Sequence, residues 1–289
     1  MPLVRFTDGD ALRAWTLARR AAGQTVGLTP TMGALHAGHL SLVRAARAEC
    51  DLTAATIFVN PTQFGPGEDL DRYPRNLEQD IALLESAGCD AVFCPAVETM
   101  YPPGAATRIE VGPAGSVLEG AIRPTHFSGV ATIVLKLLNL APANYAYFGQ
   151  KDYQQTVVVR QMTRDLNVPI EVRICPTVRE PDGLAMSSRN VYLQGEYRRQ
   201  ALTLHHALQA AQHAYAAGER NAARLRRAME AVFAGEPQVE PQYAVLLHDG
   251  GVEEAHGELT GPTVAAVAAK VGPTRLIDNQ LLSPGEPPA

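Results

Sequence analysis

Two histidines three residues apart, His36 and His39, close a segment that reads Pro30–Thr31–Met32–Gly33–Ala34–Leu35–His36–Ala37–Gly38–His39. An imidazole can donate a proton, accept one or bind a metal, and two rings at one turn can act together. Gly33 and Gly38 let backbone come close to a ligand. A β-rich run precedes the segment and helical periodicity follows it. The first N–H groups and positive dipole end of that helix would suit a phosphate. Both rings could donate N–H bonds to phosphate oxygens and steady charge that builds on phosphorus. The segment is neither a GxxxxGK[ST] loop nor a GxGxxG turn. A metal site would want a third ligand, and none lies nearby in sequence. A loop with two incidental histidines is the plain alternative.

Two further polar segments carry similar capacity. Phe148–Gly149–Gln150–Lys151–Asp152–Tyr153–Gln154–Gln155 again joins a strand to a helix. Lys151 can neutralise phosphate there, and Asp152 can cap the helix or hold a ribose hydroxyl. Only three of the 25 Lys and Arg residues are lysines (Lys136, Lys151 and Lys270), so Lys151 sits where arginine has replaced lysine almost everywhere else. Met186–Ser187–Ser188–Arg189–Asn190 offers two hydroxyls and a guanidinium that could grip a triphosphate. Taken singly, the first segment also reads as a capped surface turn and the second as a polar linker.

The elements that must position these groups alternate up to about residue 177. Strands are expected at Thr25–Thr29, Thr53–Val59, Ala91–Phe93, Tyr145–Phe148 and Ile170–Cys175. Helices are expected at His39–Glu49, Asn76–Ala87, Ser128–Leu140 and Tyr153–Leu166, with Gly88 as a C-terminal stop. Such alternation means βαβ units and a parallel, Rossmann-like sheet, with ligands at the carboxyl ends of its strands. The character changes after Arg179–Glu180–Pro181–Asp182–Gly183. Helices at Gly195–Ala217 and Asn221–Ala234, then strands at Tyr243–Leu247 and Thr263–Val271, make a smaller α+β domain. The expected division is therefore an α/β domain over residues 1–180, an α+β lid domain over 184–282 and a Pro- and Gly-rich, disordered tail over 283–289.

Composition narrows the function classes. Hydrophobic residues form 46% and charged residues 19% of the 289, enough apolar surface for a real core. The formal net charge of −5 shows no basic face for nucleic acid, which favours small-molecule partners. Cys50, Cys89, Cys94 and Cys175 lack CxxC spacing and sit in or beside apolar runs, as small buried hydrophobes of a reducing cytoplasm do. The N-terminus lacks a signal-peptide pattern. The longest apolar run, Ile133 to Leu140, is interrupted by Lys136 and Asn139, so no membrane span is expected.

The HxGH pattern of His36 to His39 resembles the nucleotidylyl-transferase superfamily, which includes the class I aminoacyl-tRNA synthetases. A narrower resemblance rests on five segments in order: Pro30 to His36, Phe58–Val59–Asn60–Pro61–Thr62–Gln63–Phe64, Pro124–Thr125–His126–Phe127, Gly149–Gln150–Lys151–Asp152 and Met186–Ser187–Ser188–Arg189. With Thr274–Arg275–Leu276–Ile277–Asp278–Asn279 near the end, the set is similar to the pantothenate synthetases (pantoate–β-alanine ligases) and covers about Val26 to Asn279. Ala37 and Gln150 stand where glutamate is common in that family.

The resemblance implies residue roles. ATP would be bound by Met32, Gly33, Ala34, Leu35, His36, Ala37, Gly38 and His39, by Gly149, Gln150, Lys151 and Asp152, and by Val178, Met186, Ser187, Ser188 and Arg189. His39 would be the proton donor; His36, Lys151, Ser187, Ser188 and Arg189 would join it around the phosphates. Met32, Gln63 and Gln155 would hold pantoate, and Gln63 would also meet β-alanine. Magnesium would be held mainly by the ATP phosphates, with Asp80 the candidate protein contact. Pro61 to Pro74 would close over the site, and Arg123 and His126 are further candidates to face it. The implied reaction runs through pantoyl adenylate to pantothenate, AMP and pyrophosphate, in a cytoplasmic homodimer. A related nucleotidylyl-transferase, a non-catalytic nucleotide-binding module and a His36/His39 metal hydrolase are the rival readings.

Overall fold

The computed structural model describes residues 3–283; the expected disordered tail lies outside them from residue 284 on. The chain divides into two compact units, Met1–Gln150 with Gln154–Pro176, and Lys151–Tyr153 with Thr177–Ala289.

In the first unit the strands are β1 (Val4–Phe6), β2 (Val26–Thr31), β3 (Leu52–Ile57), β4 (Ala91–Phe93), β5 (Tyr145–Gly149) and β6 (Glu171–Cys175). They form one parallel sheet in the order β1-β4-β3-β2-β5-β6. The helices are α1 (Gly9–Ala21), α2 (Ala37–Glu49), α3 (Leu77–Ser86), α4 (Val97–Met100), α5 (Glu119–Ile122), α6 (His126–Leu140) and α7 (Tyr153–Asp165), whose first residue alone is counted with the second unit. The fold is Rossmann-like. From β2 the chain builds outward through β3 and β4 on one side and through β5 and β6 on the other. The strand order therefore reverses at β2 and β5, the kind of switch at whose carboxyl ends open α/β sheets bind ligands.

Helix α2 shows why this sequence folds so. Its Leu40 and Val43 pack on Ile81 and Leu84 of α3, and its Leu42 and Ala46 pack on Tyr147 and Cys175 of the sheet. A helix with two apolar edges and a polar back is thereby fixed over the sheet. Helix α6 is buried along most of its length, including Val130, Ile133, Val134 and Leu137. Gly88 follows the end of α3 with φ +81°, the left-handed stop that its sequence position suggests. Cys89 and Cys94 are buried enough to push their thiols up to about 12 and about 11, so they behave as hydrophobes.

In the second unit α8 (Glu196–Ala216) and α9 (Ala222–Ala234) cover an antiparallel sheet of β7 (Val239–His248), β8 (Thr263–Val271) and β9 (Thr274–Leu282). Leu204 and Leu208 of α8, Met229 and Phe233 of α9, and Val267 and Val271 of β8 share one core. Strand β7 bulges between Pro241 and Tyr243, where proline cannot supply a ladder N–H.

Five elements were not anticipated, two of them the one-turn helices α4 and α5. Strand β1 is three residues long and mostly exposed, too short for periodicity to show. Helix α1 begins at an Asp8 cap that accepts from the Ala11 N–H at 2.8 Å. Strand β9 carries a charged residue inward, because buried Asp278 pairs with Arg179 at 2.6 and 3.0 Å.

Candidate active site

The histidine loop leaves β2 and enters α2 through two consecutive left-handed residues, Gly33 at φ +80° and Ala34 at φ +50°. For alanine this conformation costs about 1–2 kcal/mol. The cost is offset from α3. Asp80, only 3% exposed, accepts the Ala34 N–H on Oδ2 at 2.9 Å and the Leu35 N–H on Oδ1 at 2.8 Å. Leaving two such N–H groups buried without partners would cost about 1–3 kcal/mol each. Leu35 also packs against the apolar cluster that holds Ile81, the residue after Asp80.

The two histidines cap their own helix reciprocally. His36 is the N-cap, and its Nδ1 accepts from the Gly38 N–H at 3.2 Å. The His36 N–H donates to Nδ1 of His39 at 3.3 Å. The rings lie 4.1 Å apart between centroids. An Nδ1 that accepts carries the lone pair, so each neutral ring has its proton on Nε2. Of the N–H groups around the helix start, those of Ala34, Leu35, His36 and Gly38 are taken inside the protein. On each ring the nitrogen that carries the donor hydrogen is Nε2.

Beyond β3, Pro61–Gln63 makes a 3-10 turn. Buried Gln63 is oriented by a relay of side chains. The Tyr101 hydroxyl donates to Asn60 Oδ1 at 2.8 Å, Asn60 Nδ2 donates to Gln63 Oε1 at 3.0 Å, and Gln63 Nε2 donates to the Met32 sulfur at 3.1 Å. Gln63 and Met32, both expected as pantoate contacts, are thus in direct contact. Gln155 lies half-buried in the first turn of α7. Its neighbour Gln154 is buried and spent on structure, donating to the Ala114 and Val117 carbonyls and accepting the Glu119 N–H.

Arg123 and His126 turn to the Gln63 turn rather than away from it. Arg123 donates to both Glu68 oxygens at 2.7 and 2.6 Å and to the Gln63 carbonyl at 3.3 Å. Burial pushes the Glu68 carboxyl up, but bonds and charge from Arg123 prevail and hold it below the usual range. Nδ1 of His126 lies 3.0 Å from the same Gln63 carbonyl, so it carries the proton and donates. Burial, reinforced by the Arg123 charge, lowers His126 to about 4 and keeps it neutral. The 61–74 segment is fastened at its middle by Glu68 and near its end by buried Tyr73, edge-on to Phe64 at 6.0 Å.

In the second unit Lys151 Nζ lies 3.4 Å from Asp152 Oδ1, and the Lys151 carbonyl accepts from Asn279 Nδ2 at 2.8 Å. The Tyr153 hydroxyl donates to the His248 carbonyl at 3.3 Å and accepts the Gly250 N–H at 2.9 Å. Val178 and Met186 face each other across a tight hairpin, joined by Met186 N–H to Val178 O at 3.0 Å. Arg179, pinned by Asp278, donates to the Gly183 carbonyl at 3.0 Å and stiffens that hairpin. Ser187 then caps a 3-10 turn, Ser188–Tyr192, accepting the Arg189 N–H at 3.3 Å.

Sequence reasoning missed Asn60, Tyr101 and Arg179 as positioning groups. Asn60 sits inside a quoted motif, so its presence was visible although its task was not. Among the described residues no group of three or more His, Cys, Asp and Glu side chains could hold a metal ion, and both Asp80 oxygens already hold backbone.

A family model described as pantoate-beta-alanine ligase matches residues 5–281. The pantothenate synthetase of Roseiflexus castenholzii (strain DSM 13941 / HLO8) is 57% identical over 265 residues, 92% of this chain and 95% of the relative. That of Moorella thermoacetica (strain ATCC 39073 / JCM 9320) is 53% identical over 272 residues, 94% and 96% of the two chains. The crystal structure of pantothenate synthetase from Thermus thermophilus superposes with a TM-score of 0.92 at 46% identity, covering 98% of this chain and 100% of that one. The pantoate-beta-alanine ligase of Francisella tularensis, complexed with beta-gamma ATP and beta-alanine, does so at 0.80 and 33% identity, with coverage of 98% and 100%.

Proposed function

Since this chain belongs to the pantoate-beta-alanine ligase family, we propose that it condenses (R)-pantoate with β-alanine at the expense of ATP, through a pantoyl adenylate. The observation that carries the reading is the pair of imidazole Nε2–H donors at the switch of the parallel sheet, on the loop whose Met32 touches Gln63.

A carboxylate is a poor acyl donor because its leaving group would be oxide. In the first step a pantoate carboxylate oxygen attacks the α-phosphorus of ATP, and the bond to pyrophosphate breaks. In the second the β-alanine amine attacks the acyl carbon, AMP leaves with its oxygen, and the new amide loses the extra amine proton. The protein positions the reactants and stabilises charge on phosphorus. His36 and His39 donate to the phosphate oxygens, and His39 is the proton donor. Lys151, Ser187, Ser188 and Arg189 serve the triphosphate with cations and hydroxyls. Gly149, Gln150, Asp152, Val178 and Met186 complete the nucleotide contacts. Gln63, with its amide turned by Asn60, donates Nε2–H to pantoate and then to the β-alanine carboxylate, and Gln155 holds pantoate's hydroxyls.

Among the described residues the side chains do not form a resident metal site, so magnesium enters as the counterion of ATP, complexed by its phosphates. None of the described helices is long and apolar enough to cross a membrane. The reading makes this an enzyme of the cytoplasm, where its nucleotide substrate is made. It works as a homodimer, to be checked by sedimentation.

The test is pyrophosphate release with pantoate, with and without β-alanine, and identification of products. AMP and a new amide support the reading. A dinucleotide product, or ATP binding without pyrophosphate release, overturns it. His39→Ala should lower kcat by at least about a hundredfold; near-normal turnover would remove His39 from the mechanism.

A further inference from the structure

Asp80 lies 45 and 46 residues along the chain from the two backbone N–H groups it holds, and each of its oxygens takes one of them. Successive backbone N–H groups turned to one side in a tight turn make a small anion-binding concavity. Those of Ala34 and Leu35 are such a pair, and the concavity is filled by the protein's own carboxylate. Fit is close on the loop side: a Cβ at Gly33 would stand 2.9 Å from Asp80 Oδ2 and 3.1 Å from Ile57 Cγ2. Asp80 also sits in the first turn of α3, whose positive end complements a carboxylate.

We infer that Asp80 is the positioning residue of the nucleotide site: an internal anion that occupies the backbone concavity of the histidine loop and so fixes where the Nε2–H groups of His36 and His39 stand. This rests on the reading that the loop binds ATP. It assigns Asp80 to the loop and not to magnesium. The loop is held at one end by this carboxylate and at the other by the reciprocal histidine cap.

The experiment compares the full-length wild type with Asp80→Ala and Asp80→Asn in the pyrophosphate-release assay. ATP and magnesium are varied separately, with and without sodium formate, and folding is followed by circular dichroism. Asp80→Ala should lower kcat/KM for ATP by about a hundredfold, the scale of a misplaced catalytic group. Formate should restore at least about tenfold at concentrations that leave the wild type unchanged, because it can refill the concavity. Asp80→Asn should lose a similar factor, since its amide can accept only one of the two N–H bonds and sets a donor against the other. It should not respond to formate, because the amide fills the space. Its magnesium requirement should match that of the wild type. A folded Asp80→Ala that formate does not help overturns the inference. So does Asp80→Asn with wild-type kcat/KM, or with a loss that excess magnesium repairs. Should Asp80→Ala fail to fold, Asp80→Asn alone decides. A wild type that releases no pyrophosphate would sink the functional reading itself, a result distinct from any of these.

Discussion

The histidine loop and the Gln63 turn leave the carboxyl ends of neighbouring strands, β2 and β3, yet they are fastened in different ways. The loop depends on one buried side chain, Asp80, and on its own two rings. The turn is held from many sides: Asn60 and Tyr101 orient the Gln63 amide, Arg123 and His126 hold its carbonyl, and Gly129 of α6 presses against its backbone. Single-point fastening suits a loop that must present two donors at fixed positions, because few groups have to agree. Distributed fastening suits a residue whose amide must keep one orientation whatever the 61–74 segment beside it does. The contrast implies that damage to the loop is concentrated and damage to the turn is shared out.

The largest effect should come from Gly33→Ala. The substitution forces a side chain into φ +80° and against Asp80 Oδ2 at once. We expect kcat/KM for ATP to fall by about a hundredfold, with a smaller change in KM for β-alanine. Equal losses for all substrates would erase the distinction between the two fastenings. Gly129→Ala comes next. Its Cβ would stand 2.4 Å from the Thr62 carbonyl oxygen and 2.7 Å from Gln63 Cα, both backbone atoms that cannot swing aside. Overpacking of this kind costs about 1–3 kcal/mol. The melting temperature should drop, and KM for pantoate should rise about tenfold while KM for ATP stays within about threefold.

Much of this was legible in the chain, for reasons that also say where legibility stopped. The strand–helix alternation is carried by apolar spacing, so β2, α2, β3, α3, α6, β5 and α7 could be read to within a few residues. His36 and His39 announce themselves because imidazoles at a strand-to-helix turn are chemically conspicuous. The role of Asp80 was hidden because its partners are backbone N–H groups, and only the left-handed Gly33 and Ala34 bring them to it. Asn60 read as part of a motif, but its bond to Gln63 depends on a hydroxyl from Tyr101, 41 residues away. Strand β9 was missed because buried Asp278 breaks its apolar alternation, and the reason, Arg179, lies 99 residues back. Sequence patterns record what is repeated locally; pairings made once across the fold leave no such record.

Glu68→Gln tests the shared side more gently. It keeps the shape and removes the charge that Arg123 meets; the two side chains are 23% and 16% exposed, so solvent already screens the pair. A partly exposed ion pair contributes about 0–1 kcal/mol. The expected result is a fall of a few degrees or less in melting temperature and a severalfold rise in KM for pantoate, larger at low salt than at high salt. A loss as deep as that of Gly33→Ala would mean that the turn also hangs on one point.

His126 gives the smallest and most specific effect, visible only as a slope in pH. Its folded value is lowered to about 4 by burial and then by Arg123, whereas an unfolded histidine titrates near its ordinary 6.5. Between those values the unfolded chain holds a proton that the folded chain does not, so stability rises with pH across the window. His126 therefore favours the fold fully above about 6.5, and its contribution is lost as pH falls toward 4. His126→Asn removes the titration while its amide can still donate to the Gln63 carbonyl that Nδ1 meets at 3.0 Å. Melting temperatures measured from about pH 4 to 7 should decline toward acid less steeply in this variant, with the two curves differing mainly in slope. Parallel curves would show that His126 already carries its charge in the folded protein, and the neutral donor on the Gln63 carbonyl would have to be withdrawn.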